Sequence, residues 1–421
     1  MRSARLVGRS FFPLDEELGL LSGNLSPHVH ESLVRLGSWI PFGPTAGIMK
    51  DLLGVQISKA QVRRITEAAG AAYVEVQTRA VEQIEREAPL APQGADKMVF
   101  SVDGAMIPLR HGEWAEVKTL VIGEVQPAVL EKGEKVVHAR KLSYFSRLTD
   151  AEQFGRLSLV EMQRRGVEHA HEVAAVMDGA EWEQGYADYH CPQAVRILDF
   201  AHAGQRIGQV GQALWGEGSL QASQWTAERL HQLKHQGPAA ILSELEQLKE
   251  GHPDMKVIHE NLSYLQKRQT QMCYPQFQQQ GWPIGSGMVE SGNKLVVEAR
   301  MKGAGMHWQR DNVNPMLALR NIVCSDRWRE DWPLITRQLR QQAQERRNQN
   351  REKRRLAKSP ASPVILETPP PEQTRKPITI TPSHPRSKPT SNGSKKPAPN
   401  HPWRHSPIGR ALYQPSKIAK K

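Results

Sequence analysis

Residues 98–103, Met98-Val99-Phe100-Ser101-Val102-Asp103, are an apolar run that ends in an acid. The β-branched and aromatic side chains favour extended backbone. With no apolar/polar alternation, the run reads as a buried strand that ends in an acid. Pro89, Pro92 and Gly94 punctuate the chain just upstream, so a new domain starts near Lys97. Working outward, 117–125 and 135–145 read as two further strands, separated by the turn segment Glu131-Lys132-Gly133-Glu134. Residues 150–166 read as a helix. Residues 173–177 are a short apolar strand closed by Asp178-Gly179, and 195–200 are another strand. Three strands, helix, strand, helix, strand predicts an α/β fold with a mixed sheet.

The flanks read differently. Residues 203–272 are mostly helical by pattern, as 205–215, 223–234, 238–249 and 257–271, and a last long helix runs from about 288 to 301. Upstream, residues 1–92 read as helical. Ile48, Met49, Leu52 and Leu53 line one short run, and Gly54-Val55-Gln56-Ile57 breaks it. Ser58 with Gln61 three residues on is a capping-box pattern that starts a second run. Val62, Ile65 and Ala69 form its apolar stripe, leaving Lys59, Arg63 and Arg64 outward. Helix, turn, helix with a basic outer face is the pattern of a DNA-binding helix-turn-helix, and an ordinary helical hairpin with a solvated basic face gives it too. Residues 77–90 read as one more helix.

The chain has 421 residues and 38% hydrophobic side chains, enough for a substantial core in two or three domains. Cys191, Cys273 and Cys324 are too few and too scattered for a disulfide framework, and no Cys-x-x-Cys pair supports a zinc ribbon. No apolar run approaches the ~20 residues of a membrane span or builds a signal peptide, so the expected location is cytoplasmic, associated with the nucleoid. The net charge of +12 is unevenly placed. From Arg340 to Lys421 there are 19 Lys or Arg against four acids (Glu345, Glu352, Glu367 and Glu372), leaving the remainder near neutral. Fourteen of the 29 prolines lie beyond residue 359. A disordered polycationic tail is expected there, suited to a polyanionic partner such as nucleic acid or serving only to solubilise.

The chemistry-bearing residues are acids. Asp103 and Asp178 each end a strand, and Glu290 opens a helix. Two strand-end carboxylates beside each other, with a third on a facing helix, make an oxygen-ligand cage of the kind magnesium prefers. Two such ions about 4 Å apart activate the attacking oxygen and steady the leaving one in phosphoryl displacement. Each acid also has a plain reading: Asp-Gly is a common turn dipeptide, and a glutamate favours the positive end of a helix. At 3.6 residues per turn, Glu290, Asn293, Lys294 and Val297 share one helix face, with Met288, Leu295 and Ala299 as the apolar stripe toward the sheet. Arg300, Lys302 and Trp308 follow; Arg and Lys can pair with phosphates, and Trp can stack on an unpaired base or pack in a core.

With these residues in view, the sequence resembles bacterial insertion-sequence transposases of the Kra type, related to Mutator-like transposases. The resemblance runs from about Gly8 to Arg329, with a weaker echo at His401-Pro402-Trp403-Arg404. Its motifs are Ser-Val-Asp-Gly-Ala at 101–105, Glu-Trp-Ala-Glu-Val-Lys at 113–118, Val-Met-Asp-Gly-Ala-Glu-Trp at 176–182 and Gly-Ser-Gly-Met-Val-Glu-Ser-Gly-Asn-Lys at 285–294. Arg300-Met301-Lys302 and Gly305-Met306-His307-Trp308 complete the last block. Asp199-Phe200-Ala201-His202 matches a further family marker, which implies that His202 lies close to the active site; Asp199 as a structural strand-end acid is the alternative. Relatives often carry a longer, cysteine-rich segment ahead of the equivalent of Gly8-Arg9-Ser10-Phe11-Phe12, a departure that bears on activity rather than on fold.

The resemblance implies a ribonuclease-H-like catalytic domain at 93–335 with a helical insertion at 203–283. A helix-turn-helix-like DNA-binding region at 1–92 is expected before it, and a basic, mostly disordered tail at 336–421 after it. The implied activity is that of a DDE transposase using Mg2+, with Mn2+ as substitute. It would act on double-stranded DNA, at inverted-repeat element ends and target, as a homodimer or higher oligomer. Asp103, Asp178 and Glu290 are the implied catalytic and metal residues, with Asp199 and His202 supporting them or, for Asp199, replacing Asp178. Lys59, Arg63, Arg64, Asn293, Lys294, Arg300, Lys302 and Trp308 are the expected DNA contacts. A catalytically inactive DNA-binding relative and a same-fold nuclease for branched DNA are the competing readings.

Overall fold

In the computed structural model the central strand, β3 (Lys97–Pro108), is longer than the run that announced it. The structure describes residues 4–6, 9–11, 21 and 25–358 except 132. The helical reading of 1–92 is corrected at its start, where residues 4–6 and 9–11 pair as a short antiparallel ribbon, β1 and β2. Three helices follow: α1 (Pro27–Trp39), α2 (Phe42–Leu53) and α3 (Lys59–Glu87). The capping box is present, with Ser58 and Gln61 satisfying each other's backbone N–H groups. Gly54 ends α2 in the left-handed conformation. The two helices read at 58–70 and 77–90 are one continuous 29-residue helix. Ala68, Ala69, Ala71 and Ala72 are good helix formers, and Gly70 between them lets the helix lie against the Pro315 backbone, where Ala69, Ala72 and Tyr73 are buried, so packing carries the helix through.

The sheet is mixed and five-stranded, in the order β7-β4-β3-β8-β9. β4 (Trp114–Val125) is antiparallel to β3 and to β7 (Ala139–Arg147). β8 (Glu172–Met177) and β9 (Val195–Leu198) run parallel to β3 on its other side. A small hairpin, β5 (Val129–Glu131) and β6 (Glu134–Val136), takes part of the segment expected to be a single strand. The crossovers are α4 (Ala151–Arg164) and α5 (Glu181–His190). This is the mixed α/β pattern read from the sequence, with the elements in the expected succession along the chain.

β3 is covered on both faces. Phe100 and Val102 join Leu120, Ile122 and Phe145 against Phe154, Met162 and Tyr186 of the crossover helices. Val99, on the opposite face, meets the helices between β9 and residue 279: α6 (Phe200–Trp215), α7 (Leu220–Gln236), α8 (Ala239–Gly251), α9 (Lys256–Lys267) and α10 (Tyr274–Gln279). On that same face Ala105, Val117 and Val121 pack with a third cluster, which runs unbroken through Leu33, Val62, Val297, Leu317 and Trp332.

The glutamate-bearing helix is α11 (Gly287–Gly292), a π-helical stretch at Asn293–Glu298 and α12 (Ala299–Met301). Its buried stripe is Val289, Val296, Val297 and Met301, not Met288, Leu295 and Ala299, of which Leu295 is exposed. α13 (Arg310–Cys324) and α14 (Trp328–Lys358) close the described chain. The expected disorder from 336 is therefore corrected for 336–358, which are helical; Gln338 bonds Arg79 and Glu75 and Leu339 packs on the core, and good helix formers carry the exposed turns beyond. The tail expectation beyond it, from 359, lies outside the described residues. Among the described residues no helix is long and apolar enough to cross a membrane.

Candidate metal centre

Asp103 sits on β3 just past the last parallel pair with β8, Phe100 with Ala175, where burial begins to fall. Its Oδ1 accepts from the Gly104 N–H (2.6 Å) and its Oδ2 from Asn293 Nδ2 (2.8 Å). Burial raises its pKa from 3.8 to about 6. The Gly104 N–H opposes that rise, Asp178 adds to it, Asn293 opposes it, and Glu290 adds the smallest contribution.

Asp178 directly follows β8. Its Oδ1 accepts from the Ala180 N–H (2.8 Å), closing a local turn. The helices inserted between β9 and α11 reach back to brace that turn. The Tyr264 hydroxyl donates to the Asp178 carbonyl, and Arg268 Nε donates to the Gly179 carbonyl (2.9 Å) while its guanidinium lies 3.9 Å over the Tyr264 ring. Gly179 is required twice over. Its φ is +89°, and a Cβ there would meet Arg268 Nε and the Tyr264 hydroxyl at 2.6 Å.

The sequence reading missed a third carboxylate. Glu183 lies in the first turn of α5, 1% exposed, and its Oε2 accepts from the Gly179 N–H (3.1 Å). Burial, with a hydrogen bond to Asp178 and that residue's charge, pushes its pKa up to about 10. Asp103, Asp178 and Glu183 each offer an oxygen within 4.8 Å of the others. The signal was in the sequence: Glu183, Tyr186 and Ala187 are buried at i, i+3 and i+4, so helix phase alone turns Glu183 inward while Glu181 faces out. The motif as read stopped at Trp182, one residue short.

Glu290 stands outside that group. It is exposed on α11 but near enough to Asp103 to act on its ionisation, and Asn293, one turn on, ties the helix directly to Asp103. A Cβ at Gly292 would meet Val121 Cγ2 at 2.7 Å, so this glycine lets the helix lie close on β4. Glu290 and Ser291 also line a cavity of about 670 Å³ with His138, Lys234, Phe200 and Trp282.

Asp199 braces this arrangement. It is buried, and its Oδ2 caps α6 through the His202 N–H (2.8 Å) while its Oδ1 accepts from the Ser286 N–H (2.7 Å), fixing the approach to α11. Its oxygens are absent from the close carboxylate group, which contains Asp178 instead. His202 is half-buried at the start of α6.

The expected DNA contacts divide. Lys59, Arg63, Arg64 and Lys294 are exposed, Arg63 at 3.9 Å from Glu67, and Lys302 pairs with Glu298 (2.6 Å). Arg300, Trp308 and Asn293 are corrected: all are buried. Arg300 donates through Nε and Nη2 to the Gly37 carbonyl (both 3.2 Å) and lies over the rings of Phe42 and Trp308. Trp308 donates its indole N–H to the Met301 carbonyl (3.0 Å). Arg300 is held inside by Gly37 and Phe42 of the amino-terminal helices, and Trp308 by Met301 and Phe42, which is the core-packing alternative for that ring.

An all-oxygen donor set of this spacing fits a hard divalent cation such as Mg2+. No protein-family model and no curated protein matches the chain.

Proposed function

We propose that this protein is a metal-dependent DNA transposase that cuts and joins strands, with a ribonuclease-H-like catalytic domain. The observation that carries the reading is the meeting of Asp103 and Asp178, 75 residues apart in sequence, with the Glu290 helix tied to Asp103 through Asn293: Asp178 directly follows β8, and Asp103, expected to end its strand, lies within the longer β3 just past its parallel pairing with β8. The five-strand order β7-β4-β3-β8-β9 and the helices between β9 and α11 support the catalytic-domain assignment. Asp103, Asp178 and Glu290 would hold Mg2+, with Mn2+ as substitute. When bound, a metal pair activates the attacking oxygen and neutralises charge at the phosphorus.

The chain's own residues supply orientation. Asn293 fixes one oxygen of Asp103, the Ala180 N–H fixes one of Asp178, and Tyr264 and Arg268 hold the backbone from which Asp178 projects. Pre-set ligands of this kind lower the reorganisation needed at the moment of reaction. The exposed Lys59, Arg63 and Arg64 face of α3 and the basic tail are suited to duplex phosphates. A helix-turn-helix made of α2 and α3, and assembly as a dimer or larger oligomer on element ends, belong to the same proposal.

The test separates catalysis from binding. Asp178→Asn keeps size and hydrogen bonding but removes a ligating charge. DNA binding by the full-length variant should match the parent, while Mg2+-dependent nicking and strand transfer on a duplex carrying the element end should fall by orders of magnitude. Parental nicking by this variant refutes the assignment.

A further inference from the structure

We propose that Glu183 is a metal ligand. With Asp103 and Asp178 it completes an inner carboxylate site that holds one divalent ion before DNA arrives, leaving Glu290 to serve an ion that comes with the substrate. This rests on the phosphoryl-transfer reading above and deepens it.

Three observations carry the inference. The first is spacing. Oxygens around an octahedral ion with bonds of about 2.1 Å lie about 3 Å apart at neighbouring positions and about 4.2 Å apart across it. The nearest oxygens of Asp103, Asp178 and Glu183 all fall within 4.8 Å, so small side-chain adjustments close the set. Glu290 does not belong to that group and is exposed, on the side of the cavity it shares with His138 and Lys234.

The second is charge. Three acids meet where the neighbouring cations are already engaged: Lys118 pairs with Glu116 (2.5 Å), and Arg268 is turned to the Gly179 carbonyl. Glu183 is buried and Asp103 and Asp178 are part-buried; a hydrogen bond between Glu183 and Asp178 relieves part of their repulsion, and a divalent ion would relieve the rest while the neighbouring cations keep their own partners.

The third comes from a different element. Asn293 is 6% exposed, and its Nδ2 bonds Asp103 Oδ2, which places its amide at the cluster. Its Oδ1 has no partner. A buried amide oxygen held at a carboxylate cluster suits a donor such as metal-bound water, because buried acceptors are seldom left unpaired.

A purely local role for Glu183 is the competing explanation, since it also accepts from the Gly179 N–H and so braces the Asp178 turn. Glu183→Gln separates the two, because the amide oxygen keeps that hydrogen bond while the ligating charge is lost. Mn2+ binding to the full-length chain, without DNA, is read by electron paramagnetic resonance. The parent and Glu290→Gln should each bind one ion per chain, and Glu183→Gln should bind it at least tenfold more weakly, as should Asp178→Asn. If Glu183→Gln binds as the parent does while Asp103→Asn and Asp178→Asn do not, Glu183 is only a brace and the proposal is overturned, with the transposase reading intact. If Asp103→Asn and Asp178→Asn also bind as the parent does, the metal reading falls and this proposal with it. A second measurement needs no change at position 183. In Glu290→Gln protein labelled with 13C at glutamate carboxyls, electron–nuclear double resonance should show a carboxyl carbon coupled to the bound Mn2+. No coupling overturns the proposal.

Discussion

Asp103→Asn should stabilise the metal-free protein at neutral pH while abolishing its response to metal. Burial, reinforced by Asp178 and Glu290, holds the Asp103 pKa at about 6 against an ordinary 3.8. A folded-state value above the unfolded one means that the fold takes up a proton. The stability gained from the protonated form is fully present below about pH 3.8 and is lost as pH rises through 6. At pH 7.5 the carboxylate is ionised in both states, and the fold bears an ionised group it disfavours. At 1.36 kcal/mol per pH unit the gap from 3.8 to 6 amounts to about 3 kcal/mol, or about 2 kcal/mol once solvent screening of this part-exposed group is allowed for. The substituted amide carries no charge, and its oxygen can still accept from the Gly104 N–H. Its NH2 meets Asn293, whose amide can exchange its two ends so that Oδ1 accepts in place of the Nδ2 donation.

The assay is urea unfolding with chelator at pH 7.5 and pH 4.5, then with saturating Mg2+ at pH 7.5. The variant should exceed the parent by about 2 kcal/mol at pH 7.5 in chelator, and the gap should narrow at pH 4.5. Mg2+ should raise only the parent, shrinking or reversing the order, since a ligand stabilises the state that binds it. A variant less stable than the parent at pH 7.5 in chelator, or a gap that ignores pH, would refute the reasoning.

Other consequences are more direct. Arg300→Ala removes two charge-assisted hydrogen bonds to Gly37 and the ring contacts with Phe42 and Trp308, which together are worth about 3–5 kcal/mol; urea unfolding should show that loss, and weaker DNA binding at a parental unfolding midpoint would contradict the buried assignment. Deleting residues 360–421 should flatten the dependence of DNA affinity on salt concentration, and an unchanged slope in binding titrations would make the tail a solubilising extension. Asp199→Ala should lower strand cleavage while leaving DNA-free Mn2+ binding near parental, because Asp199 holds Ser286 and the approach to Glu290 rather than the inner carboxylates; loss of that ion would mean Asp199 acts on the cluster itself.

What the sequence reveals of this fold follows the physics of each element. β3 and β8 are legible because strands buried on both faces must be almost continuously apolar, and 98–102 and 173–177 are. Asp103 and Asp178 are legible because each is the acid that closes such a run; Asp178 does end its strand, whereas Asp103 ends only the parallel-paired part of β3, which continues to Pro108 beside β4. The phase of the glutamate helix was misjudged because Met288, Leu295 and Ala299 and the true stripe of Val289, Val296, Val297 and Met301 both repeat with helical spacing, and only packing on Val121 and Tyr144 chooses between them. α14 was hidden beyond Ile335 because its outer turns carry almost no apolar side chains, leaving no periodicity to read. Arg300 and Trp308 were misplaced because burial of a cation depends on partners far away in sequence, here Gly37 and Phe42 in the amino-terminal helices.

The helices between β9 and α11 show the same dependence at the site itself. The segment 199–286 inserted there could have been a peripheral platform, and nothing in its periodicity says otherwise. Yet Tyr264 and Arg268, at the end of α9, grip the carbonyls of Asp178 and Gly179 through a glycine turn that tolerates no side chain. The second aspartate is thus held from two sides, by the strand that delivers it and by the insertion that returns to it. α10 then packs Tyr274 under β9, its hydroxyl donating to the Leu198 carbonyl (2.9 Å), one residue before Asp199 catches Ser286. The insertion therefore fixes the Asp178 turn at one end and the entry to the Glu290 helix at the other. The Asn293–Asp103 bond and the seating of Gly292 on β4 fix Glu290 relative to Asp103, while the packing of these helices fixes the Asp178 turn, so a displacement of the insertion would shift Asp178 against the other two acids without touching any of them.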